Sequence, residues 1–184
     1  MERSKLLTQL SLKNGLIIGI VITLISAVLY FIDPLLAFTN FWVGILTFVV
    51  FIALMVYAGI TLRKEAGGFW TFGEAFKSFL VMSLVIAVLS TAYNALLMGV
   101  IDPELPEKAG VVVDGKTREM MAKITSSEEQ VDEIMAKNGS AVDGLRVTPK
   151  NMVTSFGVML AFYGVFSLIL AAILKKHPLE IVFL

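Results

Sequence analysis

Residues 38–62 read FTNFWVGILTFVVFIALMVYAGITL, 25 residues without Asp, Glu, Lys or Arg. A hydrocarbon core about 30 Å thick is crossed by about 20 apolar residues at 1.5 Å per residue, so this stretch is long enough to span a bilayer as a helix. Residues 15–31, 72–100 and 152–174 meet or approach the same length, and none has a charge at its centre. Inside lipid no water bonds a free N–H or C=O, so each span must be helical. The expected fold is an all-α integral membrane four-helix bundle. The chain 1–184 is read as one membrane domain, with residues 101–151 as an extracytoplasmic helical loop between helices three and four.

Composition supports this and excludes other classes. The chain has 184 residues, 57% of them hydrophobic, and a net charge of zero. No basic surplus points to nucleic acid. There is no cysteine, which excludes disulfides and thiolate chemistry. A single histidine, His177, leaves no two-histidine metal site. No cofactor and no metal are expected. Arg3, Lys5 and Lys13 precede the first apolar run, as in a signal peptide. However, that run is long for such a segment and ends in Tyr30-Phe31-Ile32-Asp33-Pro34, without a small-x-small site, so it is read as a retained helix.

Charge placement sets the orientation. Basic residues dominate the N-terminal tail, the Arg63-Lys64 turn and the Lys175-Lys176 tail, whereas the link between helices one and two holds only Asp33. The positive-inside rule puts both termini in the cytoplasm. The expected location is the bacterial inner membrane, with the lipid bilayer as the first partner.

The turns carry the local signals. Asp33-Pro34 cannot easily continue a helix, and Gly67-Gly68 breaks the second one. Thr71 followed three positions on by Glu74 is a capping box opening helix three, and Lys77 stands at i+3 from Glu74, within pairing reach. Phe69, Trp70, Phe72 and Phe76 read as interfacial anchors, as do Tyr30 and Trp42 at the other end. Asp102-Pro103 closes helix three, Asp114-Gly115 reads as a turn, and residues 117–124 as a short helix. Ser126 with Glu129, and Ser127 with Gln130, form overlapping capping boxes. The helix they open puts Val131, Ile134 and Met135 on one apolar face and ends at Asn138-Gly139. This helical hairpin is expected over the bundle mouth or on the membrane surface, without a core of its own. Thr148-Pro149 supplies the N-cap and first position of helix four.

Candidate residues carry two readings each. Glu74 and Lys77 form either a cytoplasmic polar site or a capped helix start with a local ion pair, and the second is preferred. Tyr93 and Asn94 line a small cavity or bridge helices, and bridging is preferred. Asp33 and Asp102, each before a proline, are read as helix stops rather than cation ligands. Gly15 with Gly19, and Gly157 with Ala161 and Gly164, are small-residue faces for close helix packing, within the bundle or in a homodimer. No nucleophile stands with a base, so no enzyme is expected.

Together, several of these features resemble a family of bacterial four-span membrane proteins known as domain of unknown function 4199. They are Gly67-Gly68 with Phe72-Gly73 and Ala75-Phe76-Lys77, the Asp102-Pro103 stop, the Ser127-Glu128-Glu129-Gln130 helix start, and Ala171-Ala172-Ile173-Leu174-Lys175-Lys176. The resemblance covers nearly the whole chain but brings no established activity. It implies an association with a polyprenyl-phosphate glycosyltransferase-type enzyme. The leading functional expectation is therefore a non-enzymatic membrane subunit or scaffold that binds another membrane protein. The alternative is a small homo-oligomeric transporter or lipid-handling protein.

Overall fold

The computed structural model describes residues 2–124 and 127–175, all helix and connecting turns. In chain order the helices are α1 (Glu2–Ile32), the single turn α2 (Leu36–Thr39), α3 (Phe41–Glu65) and α4 (Phe72–Leu96). A π-helical turn, Leu97–Ile101, extends α4. Then follow α5 (Leu105–Ile124), α6 (Glu128–Asn138), the short α7 (Ala141–Leu145) and α8 (Pro149–Leu174). Helices α1, α3, α4 with its π turn, and α8 are long and apolar enough to cross a membrane. The protein is an all-α four-helix membrane bundle.

Helix α4 is the central post. It buries Ala75, Ser78, Phe79, Met82, Ser83, Ile86 and Ala87, using one face against α1 and another against α8. Lipid tails are as apolar as leucine, so close approach through small residues, rather than escape from water, holds such helices together. At Gly15 an added Cβ would lie 2.9 Å from the Met82 backbone, so α1 and α4 touch main chain to main chain. On the other face the buried hydroxyls of Ser83 and Ser167 meet at 3.4 Å. By contrast, Gly157 and Gly164 on α8 have nothing within 4 Å of an added Cβ; that small-residue face is not used inside the described chain. Leu24, Val28, Val153 and Val165 are exposed on the outer faces of α1 and α8, as lipid-facing residues should be.

The end carrying Arg63 and Lys64 is tightly closed. Trp70, Phe79, Met55 and Leu62 are fully buried there. Trp70, expected as an interfacial anchor, is instead a core residue, because the positive-φ pair Gly67-Gly68 turns the chain back over the bundle. The Thr71–Glu74 capping box forms in both directions. Lys77 does not pair with Glu74. Arg3 does, at 2.9 Å, and it also donates to the Phe69 carbonyl and lies over the Phe69 ring. The local ion pair is thus a link between α1 and α4. A second arginine, Arg63, donates to the Leu174 carbonyl and ties α3 to the last turn of α8.

The other end departs further from expectation. The second span begins at Phe41, not Phe38, because Asn40 caps it by accepting from the Trp42 amide while residues 36–39 form their own turn. Asp114-Gly115 is not a turn. It lies inside α5, which runs through residues 117–124 and begins twelve residues before them. Asp114 instead accepts from the Ser140 hydroxyl and the Ala141 amide, anchoring α7. The loop also has packing of its own. Gly110 sits so close to Val142 that an added Cβ would lie 2.5 Å away, and Leu105, Ala109 and Val131 are buried. Ser127 is the N-cap of α6 but makes no side-chain cap bond; the Ser126 box and His177 lie outside the described residues. Thr148 caps α8 by accepting from the Asn151 amide, with Pro149 at the first helical position.

Candidate functional site: a cavity in the loop-side half of the bundle

Below the loop the four spans separate around a half-open cavity of about 900 Å³. Small-molecule pockets fall at roughly 300–1,000 Å³ and often lie between the helices of a bundle. The α1 wall runs from Ile22 to Tyr30 and the α3 wall from Val43 to Phe51, each about 12 Å of helix axis at 1.5 Å per residue. The cavity therefore reaches down through most of one leaflet of a bilayer.

Its floor is aromatic. Phe51 stacks on Tyr163 at 5.3 Å between centroids, and Phe48 meets Phe162 at 6.1 Å, so α3 and α8 touch through these rings. Above them α3 offers Gly44, where nothing lies within 4 Å of an added Cβ, so the helices do not close over the space. Its mouth is polar. Asp33, Tyr30, Tyr93, Asn94, Asn151 and Ser155 line that part. Tyr30 donates to Asp102 at 3.3 Å, so the ring expected at the membrane interface turns inward instead. Ser26 and Thr47 donate to carbonyls of their own helices, as hydroxyls in membrane helices commonly do.

The roof is the loop. Leu105 of α5 and Gly144 of α7 line the cavity. Lys116 of α5 reaches across to the carbonyls of Phe38 and Thr39, the last groups of α2. Those carbonyls have no partner within their own helix, so a lysine there both caps α2 and fastens the roof to the α1–α3 link. The π turn of α4 adds Leu97 and Met98 to the wall and closes with the Asp102 amide on the Leu97 carbonyl at 2.7 Å. Such turns are frequent at functional sites.

Of the residues singled out in the sequence, Tyr93 and Asn94 stand on the cavity wall. Asn94 donates to Ser90 of its own helix at 2.9 Å and bridges to no other helix among the described residues. Thr71, Glu74 and Lys77 lie at the opposite, closed end. Val131, Ile134 and Met135 lie on α6; Val131 is buried and the other two are half-buried. Neither group lines the cavity. The floor rings were hidden in the sequence because apolar spans look alike on lipid-facing and cavity-facing sides.

A family model described as "Protein of unknown function (DUF4199)" matches residues 13–176. No curated protein and no solved structure matches the chain.

Proposed function

Since the chain belongs to the DUF4199 family, whose description carries no activity, we propose from its geometry that it is an integral membrane protein that binds an amphipathic, lipid-like molecule in its bundle cavity. The observation that carries this reading is the cavity's polarity gradient, from a floor of Phe48, Phe51 and Phe162 to a mouth of Asp33, Asn94 and Asn151. A tail against the aromatic floor and a polar end at the mouth would match both halves. The role read from it is binding or transfer, because an apolar floor below a polar mouth suits a held amphiphile. This places the lipid-handling reading above the subunit or scaffold reading, which rests on the family resemblance and needs no internal cavity. Arg3, Lys5, Arg63, Lys64 and Lys175 gather at the closed end, which supports an inner-membrane orientation with that end and both termini in the cytoplasm.

The test is native mass spectrometry of protein extracted in gentle detergent. The wild type should retain a bound amphiphile, and Gly44→Phe, which fills the space beside α3, should lose it. Equal retention by both proteins would contradict the proposal. A reproducible membrane-protein partner with no bound amphiphile would restore the subunit reading.

A further inference from the structure

We infer that the cavity opens sideways into the bilayer through a slot between α3 and α8, and that its occupant is a lipid of the loop-side leaflet that enters through this slot. The inference rests on the lipid-binding reading and adds where the molecule comes from and by which route.

Three of the four seams around the cavity are packed. Helix α4 runs along α1 on one side and along α8 on the other. Helix α1 packs on α3, and the turn α2 joins them at the loop side, where Ala37 and Phe38 line the cavity. The fourth seam is held only from the ring cluster downward. Helices α3 and α8 run in the same direction, and they meet at Phe48–Phe162 (6.1 Å), at Phe51–Phe166 (5.8 Å) and, near the closed end, where Arg63 donates to the Leu174 carbonyl. Above the rings, Thr47 donates to Val43 of its own helix and Asn151 to Asp143 and Arg146, so neither reaches the opposite helix. Gly44 and Val158 each stand four residues before a member of the Phe48–Phe162 pair, on the same helix faces one turn nearer the loop. Nothing lies within 4 Å of an added Cβ at Gly44, so Val158 does not close the gap. Val158 and Phe162 line the cavity and yet are 66% and 53% exposed, which puts them on its edge rather than in a sealed wall.

The surroundings of the slot point to the membrane as the source. Its lips, Gly44, Phe48, Val158 and Phe162, offer no polar side chain, as a boundary with hydrocarbon requires. The aqueous side is covered instead: Leu105 and Gly144 of the loop lie over the cavity, and Lys116 fastens α5 to α2. The slot also matches a leaflet in depth, with the aromatic floor at its base and the polar mouth at its top. A lipid sliding in from the side keeps its tail in hydrocarbon and its head at one level throughout. Entry past the roof would carry the whole tail through water.

The chain has no cysteine, so the slot can be closed selectively. The full chain carrying Gly44→Cys/Val158→Cys, in phosphatidylcholine nanodiscs, is bridged with a short bis-methanethiosulfonate, whose links are cut again by a reductant. The probe is a lysophosphatidylcholine with a diazirine at its tail end, read as adducts on Phe51 and Tyr163. Bridging before the probe is added should reduce these adducts to background, and reduction should restore them. Bridging after loading should retain the probe through a wash with probe-free vesicles that empties the unbridged protein; a bridge that merely filled the cavity would expel it. Lys116→Met, which frees the roof, should leave uptake unchanged. Full labelling of the bridged protein, loss of the loaded probe from it during the wash, or faster uptake in Lys116→Met would each overturn the inference. If the unbridged protein gives no adducts at Phe51 or Tyr163, or Gly44→Phe does not reduce them, the cavity holds no lipid and the underlying reading fails instead.

Discussion

Arg3 and Glu74, 71 positions apart, meet at 2.9 Å and lock the start of α1 to the first turn of α4. Glu74 is shared: it also accepts from the backbone amide and hydroxyl of Thr71, so one carboxylate serves the helix cap and the interhelix pair. Both side chains are about a third exposed, which limits the pair to roughly 0.5–1 kcal/mol. A double-mutant cycle of Arg3→Ala and Glu74→Ala, read by thermal unfolding in detergent, should give a coupling of that size. Thr71→Ala should cost about 1 kcal/mol by itself. No coupling between Arg3 and Glu74 would remove the pair from the account.

The glycines of α1 make a graded prediction. A methyl at Gly15 would lie 2.9 Å from both the Cα and the carbonyl oxygen of Met82, which are backbone and cannot yield. A methyl at Gly19 would meet the end of the Leu89 side chain at 2.5 Å, which can rotate away. Gly15→Ala should therefore destabilise by about 1–3 kcal/mol, and Gly19→Ala by less. Gly157→Ala, with open space around it, should stay within about 0.5 kcal/mol of wild type. Melting temperatures check the order; a larger loss at Gly157 than at Gly15 would show that the α8 face packs against a second copy.

What is legible in the sequence depends on the physical signal at each place. The spans, the Gly67-Gly68 break, the Thr71 cap and the Asp102 stop were legible because apolar length and turn chemistry are local properties. The pairing of Glu74 was not, since Lys77 and Arg3 are both within reach on paper and only the packing of α1 decides. Asp114-Gly115 misled because a turn-forming dipeptide was absorbed into α5, where Asp114 became the anchor of α7. The cavity was partly legible. Tyr93 and Asn94 marked its wall by their polarity, whereas Phe48, Phe51 and Phe162 carry no mark that separates them from lipid-facing rings.

Lys116 is the one described side chain of α5 that holds the roof to the α2 carbonyls. Lys116→Met should loosen it without disturbing the spans. A cysteine at Ser155, inside the mouth, should then react several-fold faster with a water-soluble thiol reagent than in the Lys116 background. An unchanged rate would mean that the packing of α5 on α7 keeps the roof closed.

Orientation has its own check. Cysteines at Lys5 and Lys64 should be shielded from an impermeant thiol reagent in intact spheroplasts, and cysteines at Gly115 and Gly139 should be labelled. The reverse pattern would invert the chain in the membrane and put the cavity mouth on the cytoplasmic side.

In the proposed function a lipid tail lies on the aromatic floor of the bundle. Crosslinking with a single-chain lipid that carries a diazirine at its tail end, followed by peptide mapping, locates that tail. Adducts should concentrate on Phe48, Phe51, Phe162 and Tyr163 and be lost in Gly44→Phe. Adducts spread over the lipid-facing Leu24, Leu46 and Val153, and unchanged by Gly44→Phe, would contradict it.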